Sequence, residues 1–168
     1  RINIKFSHNM APSRDHSEAI WKKASYGTVP TNSFWEGNPG KSHAIGRAYY
    51  KGGLHIGYVS ENHEGLVIGW GGEEIVIKEE YEVLTGDKSY FQWEECSGAC
   101  IPKSFTPLRG GHEADGRELY IARVKTKNGD RIGKAGQHLT GGMNYVLDGE
   151  ETWSKHYDVF AIKNPKKK

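Results

Sequence analysis

The sequence predicts an all-β fold in which two tandem repeats form a pseudo-twofold pair of antiparallel sheets around a shared core. Twenty-two glycines and few helix-favouring runs indicate a chain rich in turns. Five Trp and nine Tyr supply large apolar side chains for a core. The third observation is that the sequence resembles itself after a fixed shift. A chain of 168 residues is expected to be one domain, or two small units that share one core.

The internal repeat defines the expected domains. One shift of the chain along itself places Arg47 on Arg123, and the same shift places Tyr81 on Tyr157. Closer to the start of each copy, a slightly shorter shift places Trp21 on Trp93. The chain is therefore divided into a leader strand and loop (1–20), repeat 1 (21–84), a linker (85–92), repeat 2 (93–160) and a basic tail (161–168).

The clearest local element is a hairpin in repeat 2. Residues 119–124 are rich in β-branched and aromatic side chains, which is typical of a strand. Asn128-Gly129 is a strong two-residue turn signal, and Arg131-Ile132 opens the return strand. Folding this hairpin is expected to bring the acidic loop 110–116 close to Lys134.

The charge pattern argues against two classes of partner. The formal net charge is only +2, and the basic tail is typical of a solvated chain end, so we expect no nucleic-acid partner. No apolar run reaches the length of about 18 residues that a membrane span needs. We expect no membrane span. No signal peptide is visible at Arg1, but the initiator methionine is also missing, so this absence decides nothing. The localisation stays open between secretion and the cytoplasm, with secretion slightly favoured.

The sequence gives no strong signal for a metal, a cofactor or catalysis. His63-Glu64 and His112-Glu113 are short pairs without a fixed third ligand, and calcium at the acidic loop is a minor alternative. No nucleophile elbow, phosphate loop or zinc-protease motif occurs, so we expect a protein that is not an enzyme. Cys96 and Cys100 flank Ser-Gly-Ala, and a local disulfide and two free thiols remain equally open.

Several motifs together resemble tandem DM9 repeats. The second copy has the fuller set, with GHEADG at 111–116, LYIAR at 119–123, Gly133-Lys134 and YDVF at 157–160. The first copy keeps IGRA at 45–48, GGEE at 71–74 and YEVL at 81–84. The family includes invertebrate mannose-binding lectins with roles in immunity, and related repeats precede the pore-forming modules of natterin-like proteins.

The resemblance implies a sugar site made by the acid of the loop and the lysine of a Pro-Gly-Lys step. These fall on Glu113 and Lys134, although Ile132 replaces the usual proline and Glu replaces the more typical Asp. In the first copy Tyr58 stands at the lysine position, and Glu36 or Gly37 stands at the acid position. A second, altered site at Glu36 and Tyr58 is therefore the open alternative.

The residues themselves are suited to a polyol. A hexose needs fixed hydrogen-bond acceptors, fixed donors and a flat apolar wall. Glu113 and Asp115 are acceptors, Lys134 is a donor, and the backbone at Gly111 allows a close approach. His112 completes the loop, and the expected walls are Tyr120, Tyr145 and Trp153. The simpler interpretation is that Glu113 and Lys134 form an exposed ion pair without a ligand.

The function expected from the sequence is a carbohydrate-binding lectin. It would recognise mannose-type glycans or mannan in innate immunity, without a cofactor, and a homodimer would add avidity. The alternative is a protein-interaction or accessory module without catalysis, such as the repeat pair of a natterin-like toxin.

Overall fold

The strands of this protein are short and follow one another closely along the described chain. A computed structural model describes residues 18–36 and 43–163. Strands β1 to β15 are β1 (Ala19–Ala24), β2 (Trp35–Glu36), β3 (His43–Tyr50), β4 (Gly53–Ser60), β5 (Gly65–Trp70), β6 (Glu73–Ile77), β7 (Tyr81–Gly86), β8 (Phe91–Ser97), β9 (Thr106–Pro107), β10 (Arg109–His112), β11 (Glu118–Thr126), β12 (Gly129–Ala135), β13 (Met143–Leu147), β14 (Glu150–Ser154) and β15 (His156–Ile162). One 3₁₀ turn, Lys88–Tyr90, is the only helical element of the described residues. The expected all-β class is confirmed.

The order of the strands in the sheet shows the duplication directly. Half of the order is β1-β7-β3-β4-β5-β6, and the other half is β14-β13-β12-β11-β15-β8. Each strand of the first half has its repeat-related strand at the mirrored place in the second, which is the pattern of a pseudo-twofold axis between β6 and β14. The two halves join at that axis through the pair Glu73↔Glu150.

Two arginines related by the repeat show that the likeness extends to side chains. The guanidinium of Arg47 lies 3.9 Å from the centre of the Trp21 ring, and that of Arg123 lies 4.4 Å from the centre of the Trp93 ring. Arg47 also pairs with Glu82 across β3 and β7, as Arg123 pairs with Asp158 across β11 and β15. The same cation and ring therefore secure the same strands in both copies.

The core consists of one cluster shared by both repeats and two clusters that each belong to a single repeat. The shared cluster draws on both repeats and includes Ile56 and Tyr58 from the first with Ile121 and Ile132 from the second. A second cluster is made of repeat 1 side chains alone, and a third of repeat 2 side chains alone. Strand β4 is buried along its whole length, so both of its faces are covered.

The predicted hairpin forms with its turn one residue earlier than expected. Thr126 pairs with Gly129, so Lys127 and Asn128 make the loop. Gly129 has φ +106° and follows the turn instead of lying inside it. The Thr126 hydroxyl stabilises this turn, because it donates to the Gly129 carbonyl oxygen and accepts from the Asn128 amide.

The two repeats interlock through β10. This strand pairs with β11 of its own repeat and, through His112↔Leu54, with β4 of the other. Gly111 has to be a glycine there, since a Cβ would lie 2.0 Å from the carbonyl oxygen of Leu54. The acidic loop that follows β10 is consequently held at the boundary between the repeats.

The expected domain boundaries can be compared with the strands only where the structure describes the chain. Residues 1–17 of the leader and 164–168 of the tail lie outside the described residues, as does the stretch 37–42. The expected linker 85–92 is occupied by the end of β7, the 3₁₀ turn and the start of β8. β1 begins at Ala19, two residues before the tryptophan taken as the start of repeat 1.

Candidate functional site

Lys134 lies at the centre of the candidate site, and it is buried. The residue projects from β12 and exposes only 5% of its surface. Its Nζ donates to the carbonyl oxygen of Gly69 at 2.9 Å and lies 3.1 Å from Nδ1 of His55. Oε2 of Glu151 lies 3.7 Å from the same Nζ. Two of these partners belong to repeat 1, so the lysine crosses from one repeat to the other.

Gly69 makes the space for this arrangement. The pairing of β4 with β5 runs from Ser60↔Gly65 to Tyr58↔Val67. Beyond this pairing, the Gly69 carbonyl oxygen accepts a hydrogen bond from the ammonium group of Lys134. A Cβ at Gly69 would lie 2.2 Å from Oε2 of Glu151, so a larger residue would displace the carboxylate that balances Lys134.

Burial sets the protonation of the pocket. It lowers the pKa of Lys134, while the carboxylates of Glu151 and Glu113 act in the opposite direction. Burial, helped by the neighbouring ammonium, lowers the pKa of His55 to about 4. His55 is therefore neutral near pH 7, and its Nδ1 accepts a hydrogen bond from Lys134.

Glu113 lies at the edge of this pocket. Its amide donates to the carbonyl of Arg117 at 2.8 Å, which closes the acidic loop. Its side chain is 23% exposed, and Oε1 lies 3.1 Å from Nε2 of His138. The Glu113 charge acts on both Lys134 and His55. The carboxylate is thus near the ammonium group, although the direct partner of each is another residue, His138 for Glu113 and Glu151 for Lys134.

The remaining residues predicted for the site have other contacts. Asp115 is exposed and pairs with Arg117 at 2.9 Å, and the backbone N–H of Arg117 is the main cause of its lowered pKa. His112 holds its own loop through Nδ1, 2.9 Å from the Glu113 carbonyl oxygen. Its ring meets exposed Tyr49 edge-on at 6.1 Å. Asp115 and His112 shape the loop.

Two of the three aromatic walls expected from the sequence are buried in the core. Tyr120 and Tyr145 are 4% and 9% exposed and belong to the repeat 2 cluster, so neither offers an open ring face. Trp153 is 67% exposed on β14. Tyr50 and Trp70 contact each other edge-to-face at 5.6 Å. The backbone of Tyr50 hydrogen-bonds His55, while its ring packs against the repeat 1 cluster.

Sequence reasoning missed His55, Gly69, Glu151 and His138. The first two lie in repeat 1, and a search confined to the acidic loop and its hairpin does not reach them. A signal existed for one of them: His55 is a lone imidazole in the middle of an otherwise apolar strand.

The repeat-related pocket is built around Tyr58. This residue is 5% exposed, its ring centroid lies 4.4 Å from that of His43, and the Arg131 guanidinium lies 6.0 Å from the ring. Glu74 pairs with His63 at 3.2 Å, much as Glu113 pairs with His138. Burial raises the pKa of Tyr58 to about 12, so the phenol stays neutral. Glu36 belongs to β2, and its side chain lies outside the described part of the chain.

Cys96 and Cys100 are free thiols whose sulfurs lie 3.8 Å apart. Within residues 18–36 and 43–163, no group of three or more His, Cys, Asp or Glu side chains is arranged to hold a metal ion. In the same residues no helix is long and apolar enough to cross a membrane.

Comparisons with known proteins agree on the family and the fold. The family model for the DM9 repeat matches residues 8–77 and 38–154, which overlap. No curated protein matches the chain. Among solved structures, the crystal structure of the nematode sperm cell motility protein MFP2B is similar, with a TM-score of 0.58 and 15% identity over 88% of this chain and 46% of that one. The chain therefore spans about half the length of MFP2B, and at this identity the likeness concerns the fold alone. Since the family model covers well over half of the sequence, the chain belongs to the DM9 repeat family.

Proposed function

We propose that this protein is a carbohydrate-binding module whose pocket at Glu113 and Lys134 takes a hexose of the mannose type. The observation that carries the proposal is the layering of the pocket. A buried ammonium group lies at its base among His55, Gly69 and Glu151, and the partly buried pair of Glu113 and His138 lies at its edge.

The two layers have different tasks. Glu113 offers carboxylate oxygens to neighbouring hydroxyl groups of a sugar, and such charged acceptors form stronger hydrogen bonds than neutral ones. Lys134 is too enclosed to act mainly as an open donor, at 5% exposure. Its charge instead favours the nearby carboxylates and orients the base of the pocket. The contacting rings of Tyr50 and Trp70 are a pair that could pack against the C–H face of a sugar.

The binding should be weak at a single site. A shallow pocket of this kind is expected to have a Kd between about 1 µM and 1 mM, or roughly 4 to 8 kcal/mol. A homodimer or several sites on one glycan would raise the avidity. Binding without catalysis, secretion and a role in innate immunity are further parts of the proposal, and the last rests on the family resemblance.

The test is titration of the protein with mannose and with mannan, followed by thermal melting and calorimetry. We expect the wild type to be stabilised by the glycan and Glu113→Gln to lose that response, because an amide replaces the charged acceptor. The matched control is Glu74→Gln, which changes the repeat 1 carboxylate that pairs with His63. An equal loss in both variants, or an unchanged response in Glu113→Gln, would contradict the assignment of the site.

A protein-interaction module is the second candidate. Large rings at the surface favour it, since Tyr49 and Trp153 are 69% and 67% exposed. Such rings are common anchors at protein interfaces. This candidate predicts no response to mannose or mannan in the titration above. It also predicts a protein partner whose binding is lost in Trp153→Ala and kept in Glu113→Gln.

A further inference from the structure

The two cysteines form a close pair across a tight turn. Cys96 is near the end of β8, and Cys100 follows the turn that Gly98 makes with φ +64°. Two hydrogen bonds hold the turn, from the Gly98 amide to the Lys155 carbonyl at 2.8 Å and from the Tyr157 hydroxyl to the Gly98 carbonyl at 2.7 Å. With the sulfurs 3.8 Å apart, a bond of about 2.0 Å requires side-chain rotation more than a rearrangement of the turn.

The two thiols differ in access. Cys100 is fully buried in the repeat 2 cluster. Cys96 is half-buried and lines a cleft of about 680 Å³ whose wall also includes Arg123, Lys125 and His156. A small molecule can therefore reach Cys96 first.

The chemistry of the pair follows the same order. Burial, together with the neighbouring Cys96, raises the pKa of Cys100 to about 12. Because the thiolate is the attacking species in thiol exchange, Cys100 is a poor first nucleophile near pH 7.

The first repeat supplies an internal comparison. Under the shift that places Trp21 on Trp93, Ala24 and Thr28 stand where Cys96 and Cys100 stand. There the Thr28 hydroxyl donates to the Ser25 carbonyl at 2.6 Å and closes the turn. The repeat 1 turn is thus held without sulfur, so the fold does not require the thiol pair at this place.

We propose that Cys96 and Cys100 are a dithiol modification site that takes small disulfides, with Cys96 as the entry thiol and Cys100 as the resolving thiol. The Cys96 thiolate attacks one sulfur of the small disulfide and forms a mixed disulfide, while the first small thiol leaves. The Cys100 thiolate then attacks the Cys96 sulfur, the intramolecular disulfide forms, and the second small thiol leaves. Two electrons pass from the protein to the small disulfide, and the two thiol protons end on the two small thiols released.

Glutathione disulfide is the probe, applied to the folded chain and followed by intact mass. The wild type should lose the mass of two hydrogen atoms and both titratable thiols, without a lasting adduct. Cys100→Ser should stop at one glutathione adduct on Cys96. Cys96→Ser should stay unmodified while it is folded. A strong reductant should reverse both wild-type and Cys100→Ser products.

Other outcomes overturn the proposal. They include a wild type that keeps its thiols or stops at the adduct, and a Cys96→Ser variant that reacts as fast as Cys100→Ser. If Cys100→Ser fails to fold, brief alkylation of the wild type with iodoacetamide and peptide mapping give the order of reaction. Cys96 should then be labelled well before Cys100, and equal labelling counts against the proposal.

Discussion

The Lys134 pocket and the Tyr58 pocket occupy equivalent places in the two repeats, but the buried groups at their centres differ in charge. One buries an ammonium group that touches His55, Gly69 and Glu151. The other buries a neutral phenol beside His43 and Arg131. Both keep a carboxylate and a histidine in contact at about the same distance, 3.1 Å in one and 3.2 Å in the other.

The difference shows how much a buried charge needs around it. An ammonium group at 5% exposure is tolerated because a carbonyl, an imidazole and a carboxylate surround it. The phenol of Tyr58 needs no counter-charge, and its pocket has the guanidinium of Arg131 where the first has His55. The same pair of strands can therefore enclose a buried ammonium group or a neutral phenol, with different residues facing each across the repeat boundary.

Removing the ammonium group should have the largest effect. In Lys134→Met the carboxylate of Glu151 stays buried without its cation, and we expect the free energy of unfolding to fall by about 3 to 5 kcal/mol. Urea unfolding measures it. The double variant Lys134→Met/Glu151→Gln should recover part of the stability and none of the glycan response. Tyr58→Phe is the control in the other pocket, with an expected loss below about 1 kcal/mol. Similar losses for Lys134→Met and Tyr58→Phe would contradict the contrast.

Acid should act on the Lys134 pocket through His55. Its pKa is about 4 in the folded protein against 6.5 as the ordinary value, so below pH 6.5 the unfolded chain takes up a proton that the native imidazole refuses. Stability is therefore complete above pH 6.5 and decreases as the pH falls towards 4, by about 3 kcal/mol at most. Unfolding measured at several pH values should show this component in the wild type and in the exposed-site control His156→Asn. His55→Asn should lack it, and an identical pH profile in all three proteins would show that His55 is not its source.

Oxidation of the dithiol should change the free energy of unfolding by a smaller amount, and only through repeat 2. A disulfide between Cys96 and Cys100 closes a short loop, for which chain entropy predicts a stabilisation of about 2 kcal/mol or less. The turn of repeat 1 has Ala24 and Thr28 at the same places and cannot respond. Urea unfolding of the oxidised and reduced wild type measures the effect, with Cys96→Ser as the control that oxidant should leave unchanged. A lower stability after oxidation would indicate that closing the sulfur pair strains the turn.

The elements that sequence could predict are those set by local pattern. The run of β-branched and aromatic residues at 119–124 predicted β11, and the Asn-Gly signal predicted the hairpin to within one residue. The match of the chain to itself, with Arg47 on Arg123, anticipated the mirrored order of strands. Each of these depends on residues close in the chain or on a match along it.

The candidate site was only partly predictable because its contacts cross the repeat boundary. The hairpin alone predicted that Glu113 and Lys134 come near each other. The burial of Lys134 could not be foreseen, since it depends on Gly69 and His55, which come from strands of the other repeat, far away in the chain. The burial of Tyr120 and Tyr145 was missed for a similar reason, as it depends on the cluster that repeat 2 packs around them and not on their place in the sequence.

The interlocking of the halves through β10 and β4 has a consequence for how such a protein can diverge after gene duplication. Two identical subunits related by a true symmetry axis would inherit every substitution twice, so both of their pockets would change together. Fusion into one chain removes that constraint, and the position held by Lys134 in one half is free to become Tyr58 in the other. Because a β4 side chain such as His55 contacts a residue of the opposite half, a mutation in one repeat can still alter the pocket of the other repeat.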